Sequence, residues 1–196
     1  MTKNEPKEKR LRQIIDAAVV EFVEKGYEQT SMQSIAKRAG LTKGGLYYHF
    51  KSKDEILMEA NNRYMEPILA LMTKAQENDS PLEGLKQYII AYIKHWETHP
   101  KELTFTFLSL TKMMQSNDMM PMIESYADLM TEFFGSLFQK GIRKKKFREH
   151  NYVSRAVSIF ATLDGITAYV VMNRNLNADQ AADHIIEVYI NEISKH

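Results

Sequence analysis

The chain has 196 residues and a mass of 22.8 kDa, and its 44% apolar and 26% charged residues are typical of a folded globular protein, which excludes a disordered tail or a fibrous repeat. The absence of cysteine excludes a disulfide framework, a thiolate nucleophile and a cysteine-based metal site. The first ten residues are highly charged, and no uninterrupted apolar run reaches the about 18 residues that cross a bilayer, so we expect a cytoplasmic protein without membrane spans.

The net charge of +1 is unevenly distributed along the chain. Residues 1–53 carry 11 Lys and Arg against 6 Asp and Glu, whereas residues 54–196 carry 15 against 19. A basic segment on a nearly neutral chain favours contact with a polyanion, with nucleic acid as the leading candidate. A solvated surface with no partner is the alternative, because an imbalance of this size is common.

The N-terminal segment predicts two helices in succession. Apolar residues recur at helical spacing over about 9–25, and Gly26 follows as a helix stop. The pattern Thr30-x-x-Gln33 is typical of a capping box, and it predicts a short second helix over about 31–39.

A tight turn and a third short helix complete a helix-turn-helix. The turn is predicted at residues 40–42, and Thr42 is expected to cap a helix over about 43–49. A second capping box, Ser52-x-x-Glu55, begins a long helix at about residue 53. A helix-turn-helix places its second helix in the major groove of DNA, although the shape alone is weakly specific.

The remaining chain shows only helix-length segments separated by Pro, Gly or Asn. Its helices are predicted at about 53–77, 81–98, 101–116, 120–140, 151–173 and 178–194. Pro67 lies inside the first of these and is expected to kink or break it. We therefore expect an all-α fold in which a helix-turn-helix head, residues 1–52, precedes a larger helical body, residues 53–196.

The third helix has an unusual composition. Gly44 and Gly45 each cost about 1 kcal/mol in a helix, so close approach of the backbone to DNA explains them better than helix stability does. Leu46 and Phe50 are expected to anchor the helix. We expect Tyr48, like Phe50, to lie in the core or in a contact with the body.

The segment SMQSIAKRAGLTKGGLYYHFKSKDEIL resembles the DNA-binding signature of the TetR (tetracycline-repressor) family of bacterial transcriptional regulators. The match extends over about residues 10–57, and the rest of the chain matches only in length, helicity and layout. The resemblance implies a homodimer that binds a palindromic operator in double-stranded DNA and is released by a small apolar or aromatic ligand. A DNA-binding activator or a chromosome-organising protein without a small-molecule inducer is the alternative.

The resemblance also implies roles for particular residues. The implied DNA contacts are Thr30, Ser31, Thr42, Lys43, Gly44, Gly45, Tyr47, His49 and Lys53. Lys53 is expected to hold a phosphate together with the helix dipole, and Lys37 or Arg38 can add a contact from the second helix. Thr30 has the alternative of acting only as a helix cap.

The body carries the implied ligand and dimer sites. Its many Met and aromatic residues belong mainly to the core, but such residues also line pockets for apolar ligands. The expected pocket residues are Tyr64, Tyr88, Tyr92, Trp96, Phe107, Met130 and Phe134. The expected dimer interface, with intramolecular packing as the alternative, contains Phe160, Ala161, Gly165, Ala168, Ala182, Ile186 and Tyr189.

Other patterns in the sequence favour neither an enzyme nor a metal protein. His95 and His99 have a spacing that can bind zinc, but no third ligand is evident, so we expect no metal and no cofactor. The basic run at residues 143–148 could bind phosphate, although a solvated helix end is the simpler interpretation. No Ser-His-Asp set or phosphate-binding loop is present, so an enzyme is disfavoured.

Overall fold

The computed structural model describes residues 5–172 and 175–195, and over these residues the fold is all-α, as predicted. The α-helices are α1 Glu5–Lys25, α2 Met32–Arg38, α3 Lys43–His49, α4 Lys53–Glu77, α5 Pro81–Thr98, α6 Pro100–Met114, α7 Met120–Arg143, α8 Tyr152–Met172 and α9 Ala178–Tyr189, followed by a 3-10 helix, Asn191–Ile193. The predicted end of α8 at residue 173 lies outside the described residues, as do residues 1–4 and 196.

Most helix ends lie within three residues of the predicted ones, and two differ by more. Gly26 and Gly40 end α1 and α2 with φ angles of +80° and +66°, a conformation that favours glycine. α1 begins four residues earlier than predicted, because its charged first turn carries no apolar signal. α9 ends at Tyr189 instead of 194, where the chain tightens into the 3-10 helix.

The cap of α2 is one residue away from the predicted one. The Ser31 hydroxyl accepts a hydrogen bond from the Ser34 amide at 3.1 Å, and the Ser34 hydroxyl accepts one from the Ser31 amide at 3.1 Å. This reciprocal pair is the capping box, so the predicted Thr30-x-x-Gln33 box is wrong. Either residue type can cap a helix, and the sequence alone does not fix the register.

Pro67 does not break α4, which continues as a helix from Lys53 to Glu77. The chain divides at this proline into two compact units. Unit 1 is Met1–Glu66 with Thr104–Ser116, and unit 2 is Pro67–Leu103 with Asn117–His196. The boundary between head and body at 52/53 stays a prediction.

The core of unit 1 is formed where α1, α2 and α3 pack together with parts of α4 and α6. Its buried apolar residues include Ile14, Ile15, Ala18, Phe22, Ile35, Ala36, Leu46, Phe50, Ile56, Leu57 and Phe105. The rings of Phe22 and Phe105 stack with centroids 6.1 Å apart, which brings α6 into this core. Each such side chain contributes about 1.5–3 kcal/mol by burial, so α3 is held firmly while its other face remains open.

Unit 2 is built around α5, α7, α8 and α9, which pack against one another. Its buried residues include Tyr88, Trp96, Met130, Phe133, Phe134, Phe138, Ile159 and Leu163. Gly141 lies so close to the Phe147 ring that a Cβ atom at this position would overlap it. The last turn of α7 therefore needs a glycine to accommodate Phe147.

Candidate functional site

The helix α3 presents one face to the core and the opposite face to solvent. Leu46 and Phe50 are buried, so both predicted anchors are in place. The Thr42 hydroxyl accepts a hydrogen bond from the Gly45 amide at 3.1 Å, which satisfies one of the free amides at the helix start. The helix therefore has a fixed orientation and an open outer face.

Several predicted DNA contacts lie on that outer face. Thr42, Lys43, Gly44 and Tyr47 are exposed, and Gly45 and His49 are partly exposed. We refer to the exposed residues Thr42, Lys43, Gly44, Tyr47 and Tyr48 as the α3 outer face. A Cβ atom at Gly44 would meet nothing within 4 Å, so nothing within the described residues requires glycine there.

The charge of Lys43 is available to an external partner. Its ammonium group lies 5.9 Å from the centroid of the Tyr47 ring, which is at the limit of a cation–π contact. No ion pair within the described residues involves Lys43. A phosphate group can therefore approach it without displacing an acidic side chain.

Tyr48 is a residue of this face that the sequence interpretation placed elsewhere. Its side chain is 79% exposed, so the expectation that it lies in the core is wrong, while the same expectation for Phe50 is correct. Gly44, Tyr47 and Tyr48 follow the i, i+3, i+4 spacing of a single helical face, opposite Leu46. That spacing is the signal that could have identified Tyr48.

The side chain of Thr30 is buried, whereas that of Ser31 is exposed. The side chain of Thr30 is only 2% exposed, and its hydroxyl lies within hydrogen-bond distance of the carbonyls of Glu21 and Gly26, at 3.0 and 2.8 Å. The predicted DNA contact of Thr30 is therefore wrong. Ser31 is exposed as the cap of α2 and stays a candidate.

Lys53 is engaged inside unit 1. Its ammonium group donates to the carbonyls of Tyr27 at 2.8 Å, Thr30 at 3.1 Å and Glu28 at 3.4 Å. The same group lies 4.3 Å from the centroid of the Tyr27 ring. Lys53 thus ties the start of α4 to the loop after α1, and this arrangement contradicts its predicted role as a free phosphate ligand.

A buried ionic network joins α1 to α2. The Glu21 carboxylate, 3% exposed, accepts hydrogen bonds from Lys25 at 2.7 Å and from Arg38 at 2.6 Å. Lys25 first, then Arg38 and Ser34, lower the pKa of Glu21 to about 2 against the opposing effect of burial. Arg38 is therefore occupied within the head, and of the two cations proposed on α2 the exposed Lys37 is the better candidate.

Five of the predicted pocket residues lie in unit 2 as part of one aromatic cluster or its surroundings. The ring centroids of Tyr88 and Tyr92 are 5.7 Å apart, those of Tyr92 and Trp96 6.2 Å, and those of Tyr88 and Phe134 5.6 Å. Met130, on the same helix as Phe134, is fully buried. The Tyr88 hydroxyl and the indole nitrogen of Trp96 are buried and have no hydrogen-bond partner among the described residues.

The two other predicted pocket residues belong to unit 1. Tyr64 is buried with its ring edge-on to Phe105, at a centroid distance of 5.6 Å, and Phe107 is 40% exposed. Neither therefore belongs to the unit 2 cluster.

A carboxylate that the sequence interpretation overlooked lies beside this cluster. Asp164 of α8 accepts a hydrogen bond from the Tyr92 hydroxyl at 2.6 Å. Burial raises the pKa of Asp164 to about 6, partly offset by the Tyr92 hydrogen bond. Burial and the charge of Asp164 also raise the pKa values of Tyr92 and Tyr126. Asp164 stands out in the sequence only as an acidic residue within an apolar helix.

The predicted dimer residues divide between a surface and an interior. Ala161 and Gly165 of α8 are exposed, and Phe160 and Ala168 are partly exposed. They belong to an outward strip of α8 that also contains Val153, Val157, Tyr169 and Met172, here called the α8 strip. Within the described residues, α8 is the one helix long and apolar enough to span a membrane by length and composition alone.

The predicted dimer contacts of α9 are largely internal. Ala182 and Ile186 are only 1% and 8% exposed, so their assignment to an interface between subunits is wrong. Tyr189 is partly buried, and its hydroxyl hydrogen-bonds that of Thr162 at 2.7 Å. The outward residues of α9 are instead Asp179, Gln180, Asp183, His184, Glu187 and Val188.

The remaining candidate sites show ordinary structural contacts. The rings of His95 and His99 stack 4.4 Å apart, and among the described residues no group of three metal-binding side chains occurs. In the basic run, Lys144 donates to the carbonyl of Asp79 at 2.6 Å and Arg148 donates to that of Glu192. These two cations therefore help to hold helix and chain ends.

Comparison with known proteins identifies the head and extends over the body. Residues 14–60 match the family model "Bacterial regulatory proteins, tetR family". The HTH-type transcriptional repressor BepR of Brucella suis biovar 1 is 29% identical, over 94% of this chain and 88% of that protein. The fatty acid metabolism regulator protein of Bacillus subtilis is 24% identical, over 95% and 97%.

A solved structure shares the complete fold. The crystal structure of AibR in complex with isovaleryl coenzyme A and operator DNA has a TM-score of 0.73 at 21% identity, covering 92% of this chain and 98% of that chain. The matched head contains α2, α3 and the α3 outer face, and the similarity in fold continues through the helices of unit 2. On these grounds residues 14–60 carry the DNA-binding region of the tetR family of bacterial regulatory proteins, and the chain shares the fold of that solved structure.

Proposed function

We propose that this regulator is a homodimeric, cytoplasmic repressor that leaves a palindromic operator when a small apolar or aromatic molecule binds its body. The observation that carries the proposal is the α3 outer face, where Lys43, two tyrosines and Gly44 face solvent on a well-anchored helix. Such a face fits a major groove, because the lysine can meet a phosphate and the tyrosines can reach base edges.

The α8 strip supports the homodimer. Val153, Val157 and Tyr169 are each about half exposed and Met172 is 78% exposed, whereas isolated subunits rarely leave so continuous an apolar surface open. A second copy packed on this strip would bury it by two-fold symmetry. The α3 helices of the two subunits would then meet successive major grooves about 34–36 Å apart, which is why a palindrome is expected.

The aromatic cluster of unit 2 supports a ligand-responsive body. Within the part of the chain that the structure describes, the buried Tyr88 hydroxyl and Trp96 indole nitrogen have no hydrogen-bond partner, and a bound molecule would supply one. Two similar proteins are also linked to small metabolites by name. One is a regulator of fatty acid metabolism, and the structure of the other contains isovaleryl coenzyme A. Ligand would favour the state with lower operator affinity.

Selection of binding sites from random DNA tests the DNA-binding part. We expect a palindromic consensus. Lys43→Ala should weaken binding to it and lower the slope of log affinity against log salt by about one, because one phosphate contact is lost. Lys74→Ala, which removes an exposed charge from unit 2, is the matched control and should leave both quantities unchanged. A Lys43→Ala protein with unaltered affinity would contradict the assignment of α3.

Analytical ultracentrifugation of Gly165→Glu tests the dimer. A Cβ atom at Gly165 would meet nothing within 4 Å, so the subunit should fold normally while the carboxylate prevents pairing across the α8 strip. Lys74→Glu is the control for the change in charge. An intact Gly165→Glu dimer would place the interface elsewhere. Ile186→Glu does not serve this purpose, because it would bury a carboxylate within its own subunit.

Reciprocal titration tests induction. If a compound lowers operator affinity, operator DNA must lower the affinity for that compound by the same factor. Trp96, the only tryptophan in the sequence, provides a fluorescence signal within the aromatic cluster. Equal ligand affinity with and without operator would reject induction and favour a regulator without a small-molecule effector.

A further inference from the structure

Asp164 is an acidic residue in an apolar environment without a cation to pair with. Within the described residues it takes part in no ion pair, and the neutral Tyr92 hydroxyl donates a hydrogen bond to it at 2.6 Å. Its neighbours along the buried side of α8 are Leu163 and Thr167. A carboxylate in such a position is normally paired, because removing an ion from water without compensation is unfavourable.

The groups around Asp164 are aromatic rings and hydroxyls. Tyr88 and Tyr92 of α5 and Tyr126 of α7 all interact electrostatically with the Asp164 carboxylate. The Tyr126 ring also meets Phe160 edge-on at 5.8 Å. Faces of aromatic rings carry partial negative charge, so a carboxylate close to several tyrosines favours a positively charged group.

Two further atoms indicate that this arrangement is incomplete. Tyr88 and Thr167 are each 1% exposed, and their hydroxyls have no hydrogen-bond partner within residues 5–172 and 175–195. Tyr126 and Asp164 themselves retain partial exposure in the single subunit. A cluster with unpartnered buried hydroxyls and an unpaired carboxylate is the pattern expected of a binding site without its ligand.

We propose that the effector bound by the body is an apolar cation, an amine or quaternary ammonium compound, with Asp164 as its counterion and the rings of Tyr88, Tyr92 and Tyr126 around its charged end. This inference rests on the proposed function for the presence of an effector site in unit 2. It adds that the ligand carries a positive charge. A fatty acid anion would place a second negative charge near Asp164, which like-charge repulsion disfavours.

The test uses two probes of the same shape and different charge. Phenyltrimethylammonium is a permanent cation, and tert-butylbenzene is its neutral isostere with carbon in place of nitrogen. Binding to the full chain without DNA is measured by calorimetry and by quenching of Trp96 fluorescence. We expect the cation to bind at least about tenfold more tightly than the isostere, and octanoate, an anion, to bind more weakly than either.

Two variants assign the preference to one carboxylate. Asp164→Asn keeps the shape of the side chain and removes its charge, so the preference for the cation should fall to about threefold or less. Asp183→Asn removes an exposed carboxylate from α9 of the same unit and should retain the full preference. Circular dichroism spectra and thermal unfolding of both variants establish that they are folded.

The outcomes separate this inference from the proposed function. Equal affinity for the two probes, no binding of the cation at millimolar concentration, or an unchanged preference in Asp164→Asn would each overturn the cationic site. Cation binding without loss of operator affinity would support the site and count against induction. Release of the operator by neutral or anionic compounds, with no preference for the cation, would support induction and overturn the site.

Discussion

Replacement of Lys53 by methionine separates two roles that a lysine at the start of α4 can have. The first role, indicated by the structure, is a tie within the head, since the ammonium group donates to the carbonyls of Tyr27 and Thr30 at 2.8 and 3.1 Å. The second role is a contact with operator phosphate. Methionine preserves most of the side-chain stem while it removes the charge and the donors, so packing changes little.

The expected loss of stability follows from these contacts. A hydrogen bond that involves a charged group contributes about 1.5–3 kcal/mol, and the partial exposure of Lys53 reduces its two short bonds to about 1.5 kcal/mol together. The contact with the Tyr27 ring at 4.3 Å adds about 0.5 kcal/mol at such a site. We therefore expect Lys53→Met to destabilise the loop and the helices it positions by about 2 kcal/mol.

Amide hydrogen exchange and operator binding together provide the measurement. A loss of about 2 kcal/mol should reduce the protection of amides in α2 and α3 by up to about 30-fold, and amides of α7 should keep theirs. The salt dependence of operator affinity should stay unchanged for Lys53→Met, whereas Lys43→Met should lower its slope by about one without loss of protection. Unchanged protection in Lys53→Met, together with a slope lowered by about one, would refute the internal role and restore the phosphate contact.

Three further predictions concern stability. The pKa of Glu21 in the folded state, about 2, lies below its ordinary value, so its contribution to stability is complete above about pH 4.5 and is lost as the pH falls towards 2. Glu21→Gln should therefore lower the free energy of unfolding in urea by about 2 kcal/mol at pH 7. A loss of the same size at pH 2 would contradict this. The pKa of Asp164 is raised to about 6, so its stabilising contribution is present below about pH 4 and is lost as the pH rises through 6. Asp164→Asn should therefore be more stable than the unaltered protein above pH 7, by up to about 2 kcal/mol, and equally stable near pH 4. Equal stability of the two proteins at pH 8 would argue against the buried charge. Gly141→Ala should lower stability by about 1–3 kcal/mol, because the added methyl group overlaps the Phe147 ring. This loss outweighs the better helix propensity of alanine. An unchanged melting temperature would show that the ring moves freely.

The parts of the fold that the sequence predicts are those that depend on local chemistry. Gly26 and Gly40 end helices because their positive φ angles favour glycine, and Leu46 and Phe50 anchor α3 because they share one helical face. The fold class follows from such local signals, repeated along the chain.

The role of Lys53 was not predictable from the same signals. Its hydrogen-bond partners are backbone carbonyls 23 to 26 residues away along the chain, and no side-chain pattern marks those atoms. Asp164 presents the same difficulty, because its burial depends on how α5, α7 and α8 pack. In both cases the chemistry of a charged group is decided by tertiary contacts, so its residue type alone allowed more than one role.

The proposed dimer surface suggests which sequence signal distinguishes a core from an interface. In α9 the apolar residues occupy one side, and Ala182 and Ile186 are buried inside the subunit. In α8 the apolar residues occur on both sides, since Ile159 is buried while Val157 and Met172 remain exposed. A helix that is apolar around most of its circumference needs two packing partners, whereas a one-sided helix needs only one. One partner of α8 is its own subunit, and the second copy that we propose would be the other.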